Sequence, residues 1–324
     1  MIKFINPYDL KDQVLNLIQK GPGNIYYPGF QNLSDFFNIV KGTTLYVTGA
    51  PTSGKSEFIL ELLIYTAQYY GWKHLIFSPE IGYATAITHE LCAKWMMKST
   101  SYGFHNKLSE KDLFTALPPI SEHFKIIESD YMANLDDFSV DELLESTQKV
   151  LNDFKYDTIT IDPWDEVGHE MENEREDQYL KNKLSMIRKF TRKNNLYFII
   201  AAHPRTPQKT KDGTYLPATA YDISGGSKWY NKGETIISVY RPPFLDDGEP
   251  NTSMAKIIIQ KAKPKHVGTK GDTELYFDRD HNRYYVIDPV TGMKVFAKPK
   301  EKELPKLTPS KSFTETEYTD DKPF

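Results

Sequence analysis

The chain predicts an α/β fold: a mostly parallel sheet covered by helices on both faces, followed by a smaller β extension. Three observations carry that prediction. From about Gly42, apolar and β-branched runs alternate with helix-length stretches. A glycine-rich turn joins the first strong strand to the first strong helix. Beyond Ser224 the long helices stop and short strands follow one another.

Taken in order, "PYDLKDQVLNLIQK" at 7–20 sets Leu10, Val14, Leu17 and Ile18 on one helical stripe before "GPG" ends it. Such a short amphipathic helix packs either on its own domain or on a neighbouring subunit. Strand-like runs follow at 43–49, 74–78, 124–128, 157–161 and 196–202, with helical stretches near 55–70, 83–98, 139–154 and 174–194. The later strands are "ETIISVYR", "AKIIIQKAK", "TELYFDR" and "RYYVID", the last two forming a hairpin through "DRDHN". From Lys298 the composition is charged and poor in apolar residues, which reads as a disordered tail. The expected organisation is therefore an N-terminal linker helix segment (1–26), one large domain (27–297) and a tail (298–324).

"GAPTSGKS" has the spacing G-x-x-x-x-G-K-S of a phosphate-binding loop. Gly49 and Gly54 let backbone N–H groups turn toward phosphate oxygens across Ala50, Pro51, Thr52 and Ser53. Lys55 can reach the β- and γ-phosphates, and the Ser56 hydroxyl can ligate Mg²⁺. The order strand, glycine loop, helix is the context that this chemistry needs, so ATP with Mg²⁺ is the expected ligand pair.

In an open parallel sheet, ligands bind beyond the carboxyl ends of the strands. Four strand ends here carry polar chemistry: the phosphate loop, Glu80, Asp162 and His203. Asp162 suits Mg²⁺ held through water. Hydrolysis also needs a carboxylate to orient or deprotonate water. Pro163 stands directly after Asp162, so the base comes from elsewhere: Asp165 and Glu166 are possible, and Glu80, in "FSPEIG", is favoured because it faces the same crevice as the loop. His203 can hydrogen-bond a γ-phosphate and pass its presence to "PRTPQKTKDG", where Arg205 and Lys209 would act.

Two basic clusters follow. "SGGSKWYNKGE" (224–234) reads as a flexible loop with Lys228, Lys232 and exposed aromatics Trp229 and Tyr230, suited to a nucleic-acid backbone. "KIIIQKAKPKHVGTKG" brings Lys256, Lys261, Lys263, Lys265 and Lys270 to a strand end. Those cations could bind nucleic acid or reach a phosphate held by an adjacent subunit.

The 324 residues suffice for one large α/β domain with appendages. A net charge of −4 gives no global positive field, so any nucleic-acid binding must rest on local patches. One cysteine, Cys92, excludes an internal disulfide and fits a small core residue in a reducing cytoplasm. There is no apolar run of membrane-spanning length, and no membrane partner is expected.

Together, "YYPGFQNLSDFF", "KGTTLYVTGAPTSGKSEF", "FSPE", "ITIDPWDE", "AAHPR" and "DISGGSKWYNKGETIISVYR" resemble the RecA-like motor domain of hexameric DnaB-type replicative helicases. The phage and mitochondrial Twinkle branch is the nearest in pattern, and the resemblance spans roughly residues 27–287. It implies a RecA-like P-loop NTPase that moves on single-stranded DNA as a homo-oligomeric ring, with Glu80 as base, His203 as phosphate sensor, and Lys228 and Lys232 on a DNA loop. It also implies that Lys261 acts on the ATP of the adjacent subunit. The position matching the family's arginine finger holds Lys263, which supplies charge without the planar fork. A separate primase, a phage origin and a cytoplasmic location follow from the same resemblance. A RecA-like DNA-organising ATPase without unwinding, or a regulatory ATPase, are the competing readings. The ending "EYTDDKPF" is similar to the acidic tip of bacterial single-stranded-DNA-binding proteins, which would let Asp320, Asp321, Pro323 and Phe324 dock on replication partners.

Overall fold

The computed structural model describes residues 4–20, 23–128, 139–151, 154–168, 175–205, 208–211, 213–245 and 247–300. In chain order its elements are α1 (Lys11–Lys20), β1 (Ile25–Tyr26), α2 (Gln31–Ser34), β2 (Ile39–Val40), β3 (Thr43–Thr48), α3 (Lys55–Tyr70), β4 (His74–Phe77), α4 (Ala84–Met96), α5 (Glu110–His123) and β5 (Phe124–Ile126). Then come α6 (Val140–Val150), β6 (Thr158–Ile161), α7 (Glu176–Asn194), β7 (Tyr197–Ala202), α8 (Gly226–Lys232), β8 (Thr235–Tyr240), β9 (Met254–Lys261), β10 (Gly271–Asp278), β11 (Arg283–Ile287) and β12 (Lys294–Phe296).

Ten strands form one sheet in the order β12-β11-β10-β9-β8-β3-β7-β6-β4-β5. The run from β8 to β5 is parallel, and β9 to β12 add as an antiparallel extension. Strand period 2 sends alternate residues to opposite faces. Leu45, Val47, Ile199 and Ala201 pack with α3, α4 and α5, whereas Tyr46, Phe198, Ile200 and Ala202 pack with α6, α7 and Trp229. Both faces are therefore dry, and the central strands read as near-continuous apolar runs. Cys92 is a fully buried member of the first core.

Two sequence expectations need correction. The sequence reading places no helix between 98 and 124, yet α5 lies there and runs through Pro118 and Pro119, residues that locally disfavour a helix. A capping box between Ser109 and Asp112 starts it, and Ala116 and Ile120 bury against the core, which together outweigh the lost backbone bonds. The segment 224–234 is not an open loop: it contains helix α8, and Trp229 is 1% exposed. Trp229 packs edge-on against Tyr46 and Trp164 and donates its indole N–H to the Ser224 carbonyl. The amphipathic stripe near the N-terminus is left uncovered: Val14, Leu17 and Ile18 are exposed. The expected tail beyond Lys300, including its acidic tip, lies outside the described residues.

Charge is used sparingly inside. Glu61 of α3 and Arg283 of β11 are 1% and 3% exposed in their side chains and meet bidentately at 2.8–2.9 Å. Glu61 also accepts the Tyr284 amide at 3.1 Å. Beside them Lys94, fully buried, is paired with Glu57 and donates to the Asn282 carbonyl at 3.1 Å. On the opposite face Glu234 accepts from Thr44, Arg188 and Arg192, tying α7 to the edge of β3. His74 is buried between Thr158 and Thr66, and burial pushes it down to about 3, so it stays neutral.

Glu61→Ala leaves the Arg283 guanidinium buried without its partner, which should cost about 3–5 kcal/mol in urea unfolding. A loss under about 1 kcal/mol, the range of an exposed pair, would contradict this account.

Candidate nucleotide site

The carboxyl ends of β3, β4, β6 and β7 converge on one crevice, as the parallel order of the sheet requires. Gly54 opens α3 at φ 95°, and a Cβ there would lie 2.9 Å from the Tyr284 hydroxyl, so glycine is needed for both conformation and space. Lys55 is buried and turned onto the loop, donating to the carbonyls of Gly49 and Ala50 at 3.2 and 3.3 Å. Burial pushes its ammonium down, and Glu80, Asp162 and Asp165 pull it back up.

Asp162 is 2% exposed and accepts from Ser78 Oγ at 3.3 Å. Burial raises its carboxyl above the usual range, opposed first by a hydrogen bond with Ser56. Its Oδ1 is buried without a hydrogen-bond partner among the described residues. An uncompensated carboxylate oxygen beside a serine hydroxyl fits a hard, oxygen-seeking cation such as Mg²⁺, which typically takes one or two protein oxygens and fills its remaining positions with water and phosphate. Among the described residues no group of three or more His, Cys, Asp and Glu could hold a metal ion.

Glu80 stands 3.4 Å from the Nε2 of His203. The hydrogen bond from His203 holds Glu80 below the usual carboxylate range, burial works against it, and the His203 and Lys55 charges help. An exposed carboxylate facing the loop can orient a water or accept its proton. Asp165 and Glu166, on the turn after Asp162, are exposed.

The cavity over the loop encloses about 320 Å³ between Thr52, Gly54, Lys55, Ser56, Glu80 and the opposite wall of Arg241, Phe277 and Arg279. None of these three wall residues is marked out as a site residue by the sequence. Arg241 follows β8, so the strand-end rule applied to its four neighbours would have found it. Phe277 and Arg279 come from the β10–β11 hairpin, whose register only folding reveals. Phe277 is backed by the Lys94 ammonium, 5.1 Å from its ring centroid, and by the Tyr284 ring at 5.2 Å. A supported flat ring and an arginine at the mouth of a phosphate cavity suit a nucleobase.

The remaining predicted residues lie away from this cavity. Lys228 is half-buried, 3.7 Å from Asp177, and Lys232 closes α8. Arg205 and Lys209 are exposed, Lys209 lying 4.5 Å from the Tyr215 ring centroid. Lys261 is buried and turned inward, donating to the Tyr230 carbonyl; burial and the Lys263 charge push its ammonium down. Lys263 is exposed at the strand end.

A phosphate loop on a central parallel strand, with Glu80, Asp162 and His203 on nearby strand ends, defines a nucleotide-binding α/β domain with a RecA-like fold. Comparison with known proteins agrees. The chain is 27% identical over 277 residues to the Twinkle homolog protein, chloroplastic/mitochondrial, of Arabidopsis thaliana, matching 84% of this chain and 38% of that protein's length. Among solved structures, an isolated ATPase domain superposes with a TM-score of 0.70 at 15% identity, over 87% of this chain and 99% of that one. A DnaB-like replicative helicase, solved in a study of its interactions with primase, gives 0.68 at 16% identity, over 84% of this chain and 66% of that one. No family model matches the chain. Among the described residues no helix is long and apolar enough to cross a membrane.

Two outcomes follow from the geometry. If Glu80 works as a carboxylate, activity falls as pH drops through its depressed pKa; His203→Ala should move that acidic limb of the ATPase pH profile to higher pH, and an unmoved limb would refute the pairing. Phe277→Ala should raise KM for ATP about 2- to 10-fold with kcat nearly kept, in proportion to one lost ring contact; an unchanged KM would remove the ring from the site.

Proposed function

We propose that this chain is the motor domain of a DNA helicase: it hydrolyses ATP with Mg²⁺ and uses the cycle to move along single-stranded DNA as a homo-oligomeric ring. The observation that carries this reading is the Glu80–His203 pair at the mouth of the phosphate loop, because it joins the hydrolytic base to the segment that leads toward the basic surface.

The loop N–H groups and Lys55 hold the β- and γ-phosphates. Lys55 does so by exchanging its contacts with Gly49 and Ala50 for phosphate oxygens. Glu80 takes a proton from the attacking water as its oxygen bonds to the γ-phosphorus and the bond to the β–γ bridging oxygen breaks, releasing ADP and phosphate. Mg²⁺, held by Ser56 and through water by Asp162, would neutralise charge on the phosphates. His203, which holds the carboxylate, would also hydrogen-bond the γ-phosphate.

From His203 the path outward is short. Pro204 bridges Ile223, and the Arg205 amide donates to the Asp222 carbonyl at 2.8 Å. Just beyond Ile223 comes α8, carrying Lys228 and Lys232. A shift at His203 therefore reaches the basic surface through backbone bonds. Lys263, exposed at the strand end, is the residue offered to the nucleotide of an adjacent subunit and would bring charge without a bidentate grip; Lys261 would have to give up its inward contact with the Tyr230 carbonyl to join it.

The similarity to the Twinkle homolog and to DnaB-like ATPase domains supports the helicase reading over a filament-forming ATPase. Forked-duplex unwinding tests it. Wild type should open the fork only with ATP and Mg²⁺, and Glu80→Gln should lose both unwinding and single-strand-stimulated hydrolysis by at least about 100-fold, the usual scale for removing a general base. Stimulated hydrolysis without unwinding would favour a strand-organising ATPase; hydrolysis indifferent to DNA would favour a regulatory one.

A further inference from the structure

Folding rearranges the aromatic surface that the sequence suggested. Trp229 is interior, and the exposed ring is Tyr221, 60% accessible, on the segment leading into α8. One face of Tyr221 stacks on Tyr230, with centroids 5.0 Å apart and planes 24° from parallel. Beneath Tyr230 lies the Lys261 ammonium, 4.9 Å from its centroid and bonded to its carbonyl. Tyr221 thus has one face on Tyr230 and leaves much of its ring to solvent. Its outer face meets no further ring among the described residues.

The platform is held in place. Gly226 packs so tightly on Tyr221 that a Cβ there would come within 2.5 Å of its Cα and carbonyl oxygen. The adjacent Asp222 accepts from the Thr219 amide at 2.6 Å, from the Thr219 hydroxyl at 2.8 Å and from Gln208 at 3.2 Å. An aromatic side chain on an already fixed backbone loses little entropy on stacking. Positive charge is at hand: Arg205 and Lys209 are exposed on the segment bonded to 219–223.

We propose that Tyr221 is a stacking platform for one base of a single-stranded nucleic acid, with Arg205 and Lys209 meeting its phosphates; this rests on the helicase-motor reading. Every base has a π-face, so the contact tolerates any sequence, as a translocating protein needs.

The test is fluorescence anisotropy with the full chain, using an oligothymidylate and an abasic strand of equal length. Tyr221→Ala should weaken oligothymidylate binding about tenfold, while Tyr221→Phe binds as wild type does. The abasic strand, which keeps the phosphates and lacks the bases, should bind wild type and Tyr221→Ala alike. Equal loss on both strands, or no loss on either, overturns the platform while leaving the motor reading in place. A change in oligomer size on Tyr221→Ala would make the face a subunit contact and also overturn it. Wild type that binds neither strand overturns both readings together.

Discussion

The buried pairing of Glu61 with Arg283 is the constraint on which the rest of the site depends. Glu61 sits on the helix that the phosphate loop starts, and Arg283 sits on a hairpin more than two hundred residues later. Neither charge could be left alone in a dry core, so the helix and the hairpin are obliged to meet in one register. That register sets Tyr284 against Gly54, and it brings Phe277 and Arg279 across from the loop. The antiparallel extension is thereby part of the nucleotide cavity rather than an ornament on the sheet edge. Lys94 and its carboxylates repeat the device nearby and support the Phe277 ring from behind.

The site itself is a compromise between burial and charge. Desolvation pushes Lys55 and Asp162 toward their neutral forms; the Glu80 and Asp162 charges oppose it at Lys55, and Ser56 and the Lys55 charge oppose it at Asp162. Glu80, nearer solvent, is tuned the opposite way by His203. Two carboxylates a strand apart thus differ in character: one is poised for a cation, the other for a proton from water.

Much of this could be read from the sequence. The phosphate loop, Glu80, Asp162 and His203 were all legible because a parallel sheet delivers strand ends to one edge, and strands buried on both faces announce themselves as apolar runs. α5 was not legible, since its proline pair argues locally for a break and only packing against the core overrules it. Nor was the burial of Trp229: glycines and lysines around it look like a loop, and the pocket between Tyr46 and Trp164 that receives it is assembled from distant segments. The stack of Tyr221 on Tyr230 is likewise a product of tertiary folding, as is the inward turn of Lys261.

The position of β3 in the sheet has a wider implication. It lies between β7 and β8, so the two flanks of the phosphate loop belong to different halves of the molecule. On one flank are His203 and the route to α8; on the other are Arg241 and the hairpin ring. In the proposed motor the first flank senses what happens to the terminal phosphate, and the second touches whatever is attached at the far end of the nucleotide. The choice of fuel and the use made of it are therefore housed in separable parts. Such a domain can drift in its preference among nucleoside triphosphates through substitutions in the hairpin while its stroke stays intact, and it can be refitted for a different track without relearning its fuel.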